Sequence, residues 1–167
     1  MTAPSHPKTS VLFVCTGNIC RSPTAEAIFR RFVADRGLDD RFRIESAGTH
    51  GYHVGHGADM RSALAARGRG YDLSTHRAKK LCTEDFTDFD FIVVMDDENM
   101  RAIAAICPAE HRTKVTYFLE HAPALGVREV PDPYYGGEDG FERVLDMAED
   151  AAQGLIRHLR EKLQLSR

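Results

Sequence analysis

Residues Val11-Leu12-Phe13-Val14-Cys15-Thr16-Gly17-Asn18-Ile19-Cys20-Arg21-Ser22-Pro23 decide how the rest of the chain is read. Val11 to Cys15 is a short, unbroken apolar run rich in branched side chains, the pattern of a strand buried on both faces. Something must therefore cover each face. Ser22 stands where a helix N-cap is expected and Pro23 at the first helical position. Behind them Ala25, Ile28, Phe29, Phe32 and Val33 follow the i, i+3, i+4, i+7, i+8 spacing, with Glu26, Arg30, Arg31 and Asp35 on the other side. This predicts an amphipathic helix ending near Gly37.

Working outward, Phe42 to Ser46 alternates apolar and polar like a strand near a sheet edge, and the glycine-punctuated AGTHGYHVGHG that follows reads as a loop. Asp59 to Arg67 predicts a short helix. Phe91 to Met95 is a second wholly apolar strand; Asp97 then suits an N-cap and Pro108 closes the helix after it. Lys114 to Leu119 gives a further strand. From Phe141, the residues Val144, Leu145, Ala148, Ala152, Leu155, Ile156, Leu159 and Leu163 keep one helical stripe for about six turns. Strands alternating with helices predict an α/β fold: a single domain with a four-stranded parallel sheet, helices on both faces, and an anion-binding loop after the first strand. In such folds ligands bind beyond the carboxyl ends of the strands. Residues 1–10 are expected to form a flexible tail and 11–165 the domain.

The 167 residues are 43% apolar and 28% charged, which excludes a disordered or fibrous chain. A net charge of −3 gives no electrostatic footprint for nucleic acid or an anionic membrane. The polar start lacks the apolar core of a signal peptide, and no stretch approaches the ~20 apolar residues of a membrane span. A cytoplasmic protein is expected. Four irregularly spaced cysteines are too few for a disulfide scaffold, so they are expected to be thiols, metal ligands or catalytic groups.

The loop from Cys15 to Pro23 carries the chemistry. Gly17 and Asn18 tolerate left-handed backbone angles, so the loop can curl with its amides inward. Inward amides and a helix N-terminus together make an anion site. No Lys-Ser or Lys-Thr follows the glycine, which excludes the nucleotide-binding Walker loop. A Cys stands at one end instead and an Arg at the other. The helix N-terminus and the guanidinium both favour thiolate over thiol, which makes Cys15 a nucleophile. Arg21 offers a planar fork matched to two phosphate oxygens. Taken alone, Cys15 also fits an ordinary core cysteine at a strand end; the surrounding Gly, Asn, Arg, Ser and Pro argue against that.

Val11 to Ala27 (VLFVCTGNICRSPTAEA) resembles the low-molecular-weight protein tyrosine phosphatases, with their Cys, five residues, Arg, Ser signature. The resemblance extends to Glu45-Ser46-Ala47-Gly48, Ser74 to Ala78, Met95-Asp96 and Asp132-Pro133-Tyr134-Tyr135, nearly the whole chain after residue 10. It implies hydrolysis of phosphotyrosine in proteins and of small aryl phosphates through a cysteinyl-phosphate intermediate. The catalytic residues would be Cys15, Arg21 and Asp132. Chemistry independently requires an acid, because a phenol of pKa about 10 leaves poorly as phenolate at neutral pH. Asp132 alone also fits an ordinary Asp-Pro turn; the resemblance makes it the acid, and then the base that activates water.

The same resemblance assigns Thr16, Gly17, Asn18, Ile19, Cys20 and Ser22 to the phosphate cradle, with Ser22 donating to the Cys15 thiolate. Tyr134 and Tyr135 become aromatic walls for the phenyl ring, and Tyr52 a further wall. Asn18 would hold the loop's shape with Ser46 and His76 as supports, although His76 reads equally as a surface residue. Cys20 resembles a redox partner of Cys15; as a bare residue it is a small apolar filler. His50, His53 and His56 recur every third residue, but the interleaved glycines fix no ligand geometry, and the chemistry needs neither metal nor cofactor. Arsenate reductases on the same fold carry two cysteines close together where this chain has only Cys82, with Cys107 twenty-five residues on. Phosphoarginine phosphatases tend to carry Thr where this chain has Ile19. A phosphate-binding module without catalysis would lack Cys15 or Asp132. The expected partner is a tyrosine-phosphorylated protein, with a tyrosine kinase as a further candidate, and the expected state a monomer with weak self-association left open.

Overall fold

In a computed structural model, which describes residues 7–163 except for the side chains of Tyr135 and Glu138, four parallel strands form one sheet. They are β1 (Thr9–Cys15), β2 (Phe42–Gly48), β3 (Phe91–Val94) and β4 (Val115–Tyr117), in the order β2-β1-β3-β4. Five α-helices accompany them among the described residues: α1 (Arg21–Asp35), α2 (Met60–Arg67), α3 (Asp85–Asp88), α4 (Asp97–Ala104) and α5 (Glu138–Leu163).

The strand alternation of β1 sorts its side chains to two sides. Val11, Phe13 and Cys15 join Ala25, Ile28 and Phe29 of α1 and Val144, Leu145 and Leu155 of α5 in one core. Leu12 and Val14 join Phe86 of α3 and Ile103 of α4 in a second core on the opposite face. All of β1 from Val11 to Val14 has zero exposure, as a central strand covered on both faces requires. Phe13 anchors the first core, edge-on to Phe29 at 5.5 Å and to Phe118 at 5.4 Å between ring centroids.

The order places β2 and β3 on opposite sides of β1, so the connection leaving β1 turns one way and the connection leaving β3 turns the other. A crevice opens between those two loops at the carboxyl end of the sheet. Residues 16–20 and the Met95–Asp96 turn form its sides.

Several boundaries differ from the sequence expectations for definite reasons. β1 starts at Thr9, inside the stretch expected as tail, because Thr9 pairs with Phe42 and the Ser10 amide donates to the Asp90 carboxylate at 2.9 Å. Of the rest of that expected tail, residues 1–6 lie outside the described residues. The α1 N-cap is Cys20, not Ser22, whose hydroxyl is engaged with Cys15 and Asn18 instead. The α4 cap is Asp96, not Asp97: its Oδ1 accepts the Asn99 amide at 2.8 Å. α4 ends at Ala104, before Pro108 is reached. β4 stops at Tyr117, and Phe118–His121 winds into a 3-10 turn against α5. No helix among the described residues is long and apolar enough to cross a membrane.

Candidate active site

The loop after β1 is built around Asn18, fully buried and the one described non-glycine residue with positive φ, at 59°. An L side chain at that angle costs about 1–2 kcal/mol unless its polar group is used locally. Asn18 uses all of it. Its Oδ1 accepts the Lys79 amide at 2.9 Å, which fixes the amide orientation, since a backbone N–H can only donate. Nδ2 therefore faces Ser22 Oγ at 2.8 Å and Ser46 Oγ at 2.9 Å. The Ser46 hydroxyl donates to Glu26 Oε1 at 2.6 Å, and His76 Nε2 meets the Asn18 carbonyl at 2.7 Å.

The consequence appears at Cys15. Ser22 Oγ already accepts from Asn18, so its hydroxyl proton is available to the Cys15 sulfur 3.0 Å away. The Asn18 amide points at the same sulfur from 3.3 Å. Both contacts converge on the Cys15 sulfur, which is 3% exposed at the mouth of α1. Among the described residues, the amides of Gly17, Ile19 and Cys20 meet no acceptor within the protein. Thr49 and His50 donate to the carbonyls of Cys15 and Thr16 at 2.9 and 3.0 Å, clamping the loop to the end of β2. Gly48 allows that approach: a Cβ there would stand 2.7 Å from the Thr16 carbonyl oxygen.

Arg21 closes the crevice. Its side chain is 2% exposed, and Nη1 donates both protons, to Asp96 Oδ2 at 2.6 Å and to the Val130 carbonyl at 2.9 Å. Nη2 remains turned toward the loop, 3.4 Å from Thr16 Oγ1 and 3.6 Å from Asp132 Oδ2. Burial works against the guanidinium charge, but Cys15, Asp96 and Asp132 outweigh it and hold its pKa above the ordinary arginine value. Asn99 supports the same corner, with Nδ2 3.2 Å from Thr16 Oγ1.

Asp132 lies across the opening with its carboxylate about one-third exposed. Its Oδ1 accepts the Tyr134 amide at 3.0 Å, an Asx turn that starts the Pro133–Tyr135 3-10 segment. Cys15, Thr16, Gly17, Ile19, Cys20, Arg21, Tyr52, His53, Asp132 and Tyr134 line one narrow cleft of about 70 Å³. Tyr52 is 69% exposed and stacks on His50 at 4.9 Å. The Tyr135 side chain, expected as a wall, lies outside what is described. Cys20 shares the cleft, and burial pushes its thiol up to about 12 despite a hydrogen bond to Ser62.

Sequence reasoning gave no role to Asp96, Asn99 and the Lys79 amide, which stand far from the loop in the chain, nor to Glu26, three residues past Pro23 and read only as part of the helix's polar side. Asp96 had a signal: an acidic residue directly after the second apolar strand, beside the predicted anion site. It also weighed His53 only as a metal candidate, whereas its ring rests on Gly17 and lies 6.2 Å from that of Tyr134.

Comparison with known proteins gives one answer. A family model described as low molecular weight phosphotyrosine protein phosphatase matches residues 10–165. A low molecular weight protein-tyrosine-phosphatase of Streptomyces coelicolor is 45% identical, over 92% of this chain and 95% of that protein. A low molecular weight phosphotyrosine protein phosphatase of Schizosaccharomyces pombe is 44% identical, over 89% and 96%. The crystal structure of an Entamoeba histolytica protein tyrosine phosphatase with Hepes in its active site superposes with a TM-score of 0.90 at 39% identity, covering 95% of this chain and all of that one. With its sheet order, its Cys-to-Arg loop and these relatives in agreement, the chain belongs to the low-molecular-weight phosphotyrosine protein phosphatase family.

Proposed function

We propose that this enzyme hydrolyses phosphotyrosine in proteins, and small aryl phosphates, with Cys15 as nucleophile, Arg21 as phosphate clamp and Asp132 as general acid and base. The observation that carries the reading is the convergence of Cys15, Arg21 and Asp132 on one cleft, in whose loop the Gly17, Ile19 and Cys20 amides meet no acceptor among the described residues. The phosphate dianion sits in the loop, on those amides and on Nη2. Sγ attacks phosphorus and the bond to the tyrosyl oxygen breaks, while the Asp132 carboxyl proton moves to that oxygen so that it leaves as a neutral phenol. The carboxylate so formed takes a proton from water, which attacks the cysteinyl phosphate; inorganic phosphate leaves and the thiolate returns.

Tyr52, Tyr134 and Ile19 border the opening and suit the phenyl ring. An isoleucine offers no hydrogen bond to a guanidinium, which favours phosphotyrosine over phosphoarginine. Oxidation of the Cys15 thiolate by peroxide to a sulfenic acid, releasing hydroxide, leaves the neutral Cys20 thiol in the same cleft; their condensation would release water and form a disulfide that a thiol reductant reverses.

The test is a panel of phosphotyrosine, phosphoserine and phosphoarginine peptides against wild type and Cys15→Ser. Wild type should release phosphate from phosphotyrosine alone. Cys15→Ser should lose turnover on every ester and still bind phosphate, because the amides and Arg21 remain. Comparable turnover of phosphoarginine, or substantial activity without the Cys15 sulfur, would reject the reading.

A further inference from the structure

The first turn of α2 touches both halves of the site, and the contact runs through one side chain. Asp59 caps α2, its Oδ1 accepting the Arg61 and Ser62 amides at 2.8 and 3.4 Å, and its own amide donates to the Ile19 carbonyl in the phosphate loop at 2.8 Å. The Arg61 guanidinium folds back onto the Asp59 carboxylate side-on, Nε to Oδ1 at 3.2 Å and Nη2 to Oδ2 at 3.1 Å. Nη2 also donates to the Tyr134 carbonyl at 3.2 Å. The same guanidinium lies over two rings, 5.4 Å from that of Tyr134 and 4.8 Å from that of Phe141 in the first turns of α5.

A planar fork with one edge on a carboxylate and two aromatic rings against it has few orientations left. The edge that remains grips the carbonyl of Tyr134, and the amide of that same residue grips Asp132. Among the described residues the Tyr134 amide is the close anchor of Asp132; its other oxygen stands 3.6 Å from Arg21, with its side chain about one-third exposed. From the phosphate loop the frame therefore runs Ile19, Asp59, Arg61, Tyr134, Asp132, and returns through Arg21.

We infer that Arg61 is a positioning residue for the acid, holding the Asp132–Tyr134 turn at a fixed height over the Cys15 loop. It acts through Asp132 and touches neither phosphate nor leaving group. The inference rests on Asp132 being the general acid, and its consequence is specific. A looser Asp132 should slow expulsion of poor leaving groups and spare good ones, since proton donation is needed in proportion to leaving-group basicity.

The experiment compares kcat/KM on a phosphotyrosine peptide and on 4-nitrophenyl phosphate for wild type, Arg61→Met, Asp132→Asn and the double variant. Methionine keeps an apolar stem against the rings and removes every donor. Thermal unfolding of each variant checks that it folds; Arg61→Lys, which keeps charge but not the fork, serves as the second variant if Arg61→Met does not. Arg61→Met should lose about tenfold on phosphotyrosine and about twofold or less on 4-nitrophenyl phosphate, part of the ~10²–10⁴ that an acid supplies. In the Asp132→Asn background the same change should leave the ratio of the two esters unaltered. An equal loss on both esters from Arg61→Met, with Asp132→Asn still discriminating, overturns the positioning role and leaves the acid assignment standing. Asp132→Asn without discrimination overturns both.

Discussion

Asn18 shows how much one residue can be asked to do. It accepts a left-handed backbone, supplies an amide to the Cys15 sulfur, and spends its whole side chain on Lys79, Ser22 and Ser46. Asn18→Ala keeps the angle strained and strands those partners, so kcat/KM is expected to fall about 10²-fold, on the scale of removing one oxyanion-hole donor. Asn18→Gly relieves the backbone and still loses the network. Steady-state kinetics and urea unfolding on both variants check this: Gly should recover stability relative to Ala while activity stays low. Recovery of activity in Asn18→Gly would mean that the backbone angle, not the side-chain network, shapes the loop.

At the scale of elements, the loop could be read locally because each signal lay within a few residues: an apolar strand, turn-tolerant Gly17 and Asn18, a helix start at Ser22 and Pro23. What escaped were partners brought in by topology. Lys79 and Glu26 reach Asn18 and Ser46 only because β2 lies beside β1, and Asp96 reaches Arg21 only because β3 lies on the other side. The cap at Ser22 was misplaced for a related reason. A hydroxyl at a helix start has two uses, and only the fold shows that this one serves the sulfur.

Gly154, in the middle of α5, is another residue whose reason is tertiary. A Cβ there would stand 1.7 Å from the His121 carbonyl oxygen, at the end of the Phe118–His121 turn. Alanine is normally the better helix former by about 1 kcal/mol. Here Gly154→Ala should instead destabilise by about 3 kcal/mol, the upper part of the range for overpacking. A midpoint in chemical unfolding equal to or above wild type would show that the turn moves aside freely.

The whole molecule is held shut at a distance from the cleft. Tyr71, after α2, donates to Glu149 of α5 at 2.6 Å, and Arg69 reaches the same Glu149 at 2.8 Å along with Glu142 and Asp146. Burial and then the Glu149 carboxylate push the Tyr71 hydroxyl up to about 12. Because the folded value lies above the ~10 of an exposed tyrosine, the contribution is complete below pH ~10 and is lost as pH rises through about 12. Tyr71→Phe should cost about 1.5 kcal/mol at neutral pH, the lower end for a hydrogen bond to a charged group, because Arg69 still pairs with Glu149. In urea unfolding across pH 8 to 12 the gap between the two proteins should close from the alkaline side. A gap that persists or widens there would contradict the assignment.

The central claim for the molecule is that the phosphoryl group rests on the Cys15 sulfur between the two halves of turnover. The most direct measurement mixes enzyme with a phosphotyrosine peptide, stops the reaction by rapid denaturation, and reads the loop peptide by mass spectrometry beside the time course of tyrosine release. The account predicts one phosphoryl group on Cys15, absent from Cys15→Ser, appearing together with a burst of tyrosyl product before steady phosphate release. Phosphate and tyrosyl peptide released in step, with Cys15 unmodified at every time point in an active enzyme, would mean direct attack by water and would contradict it.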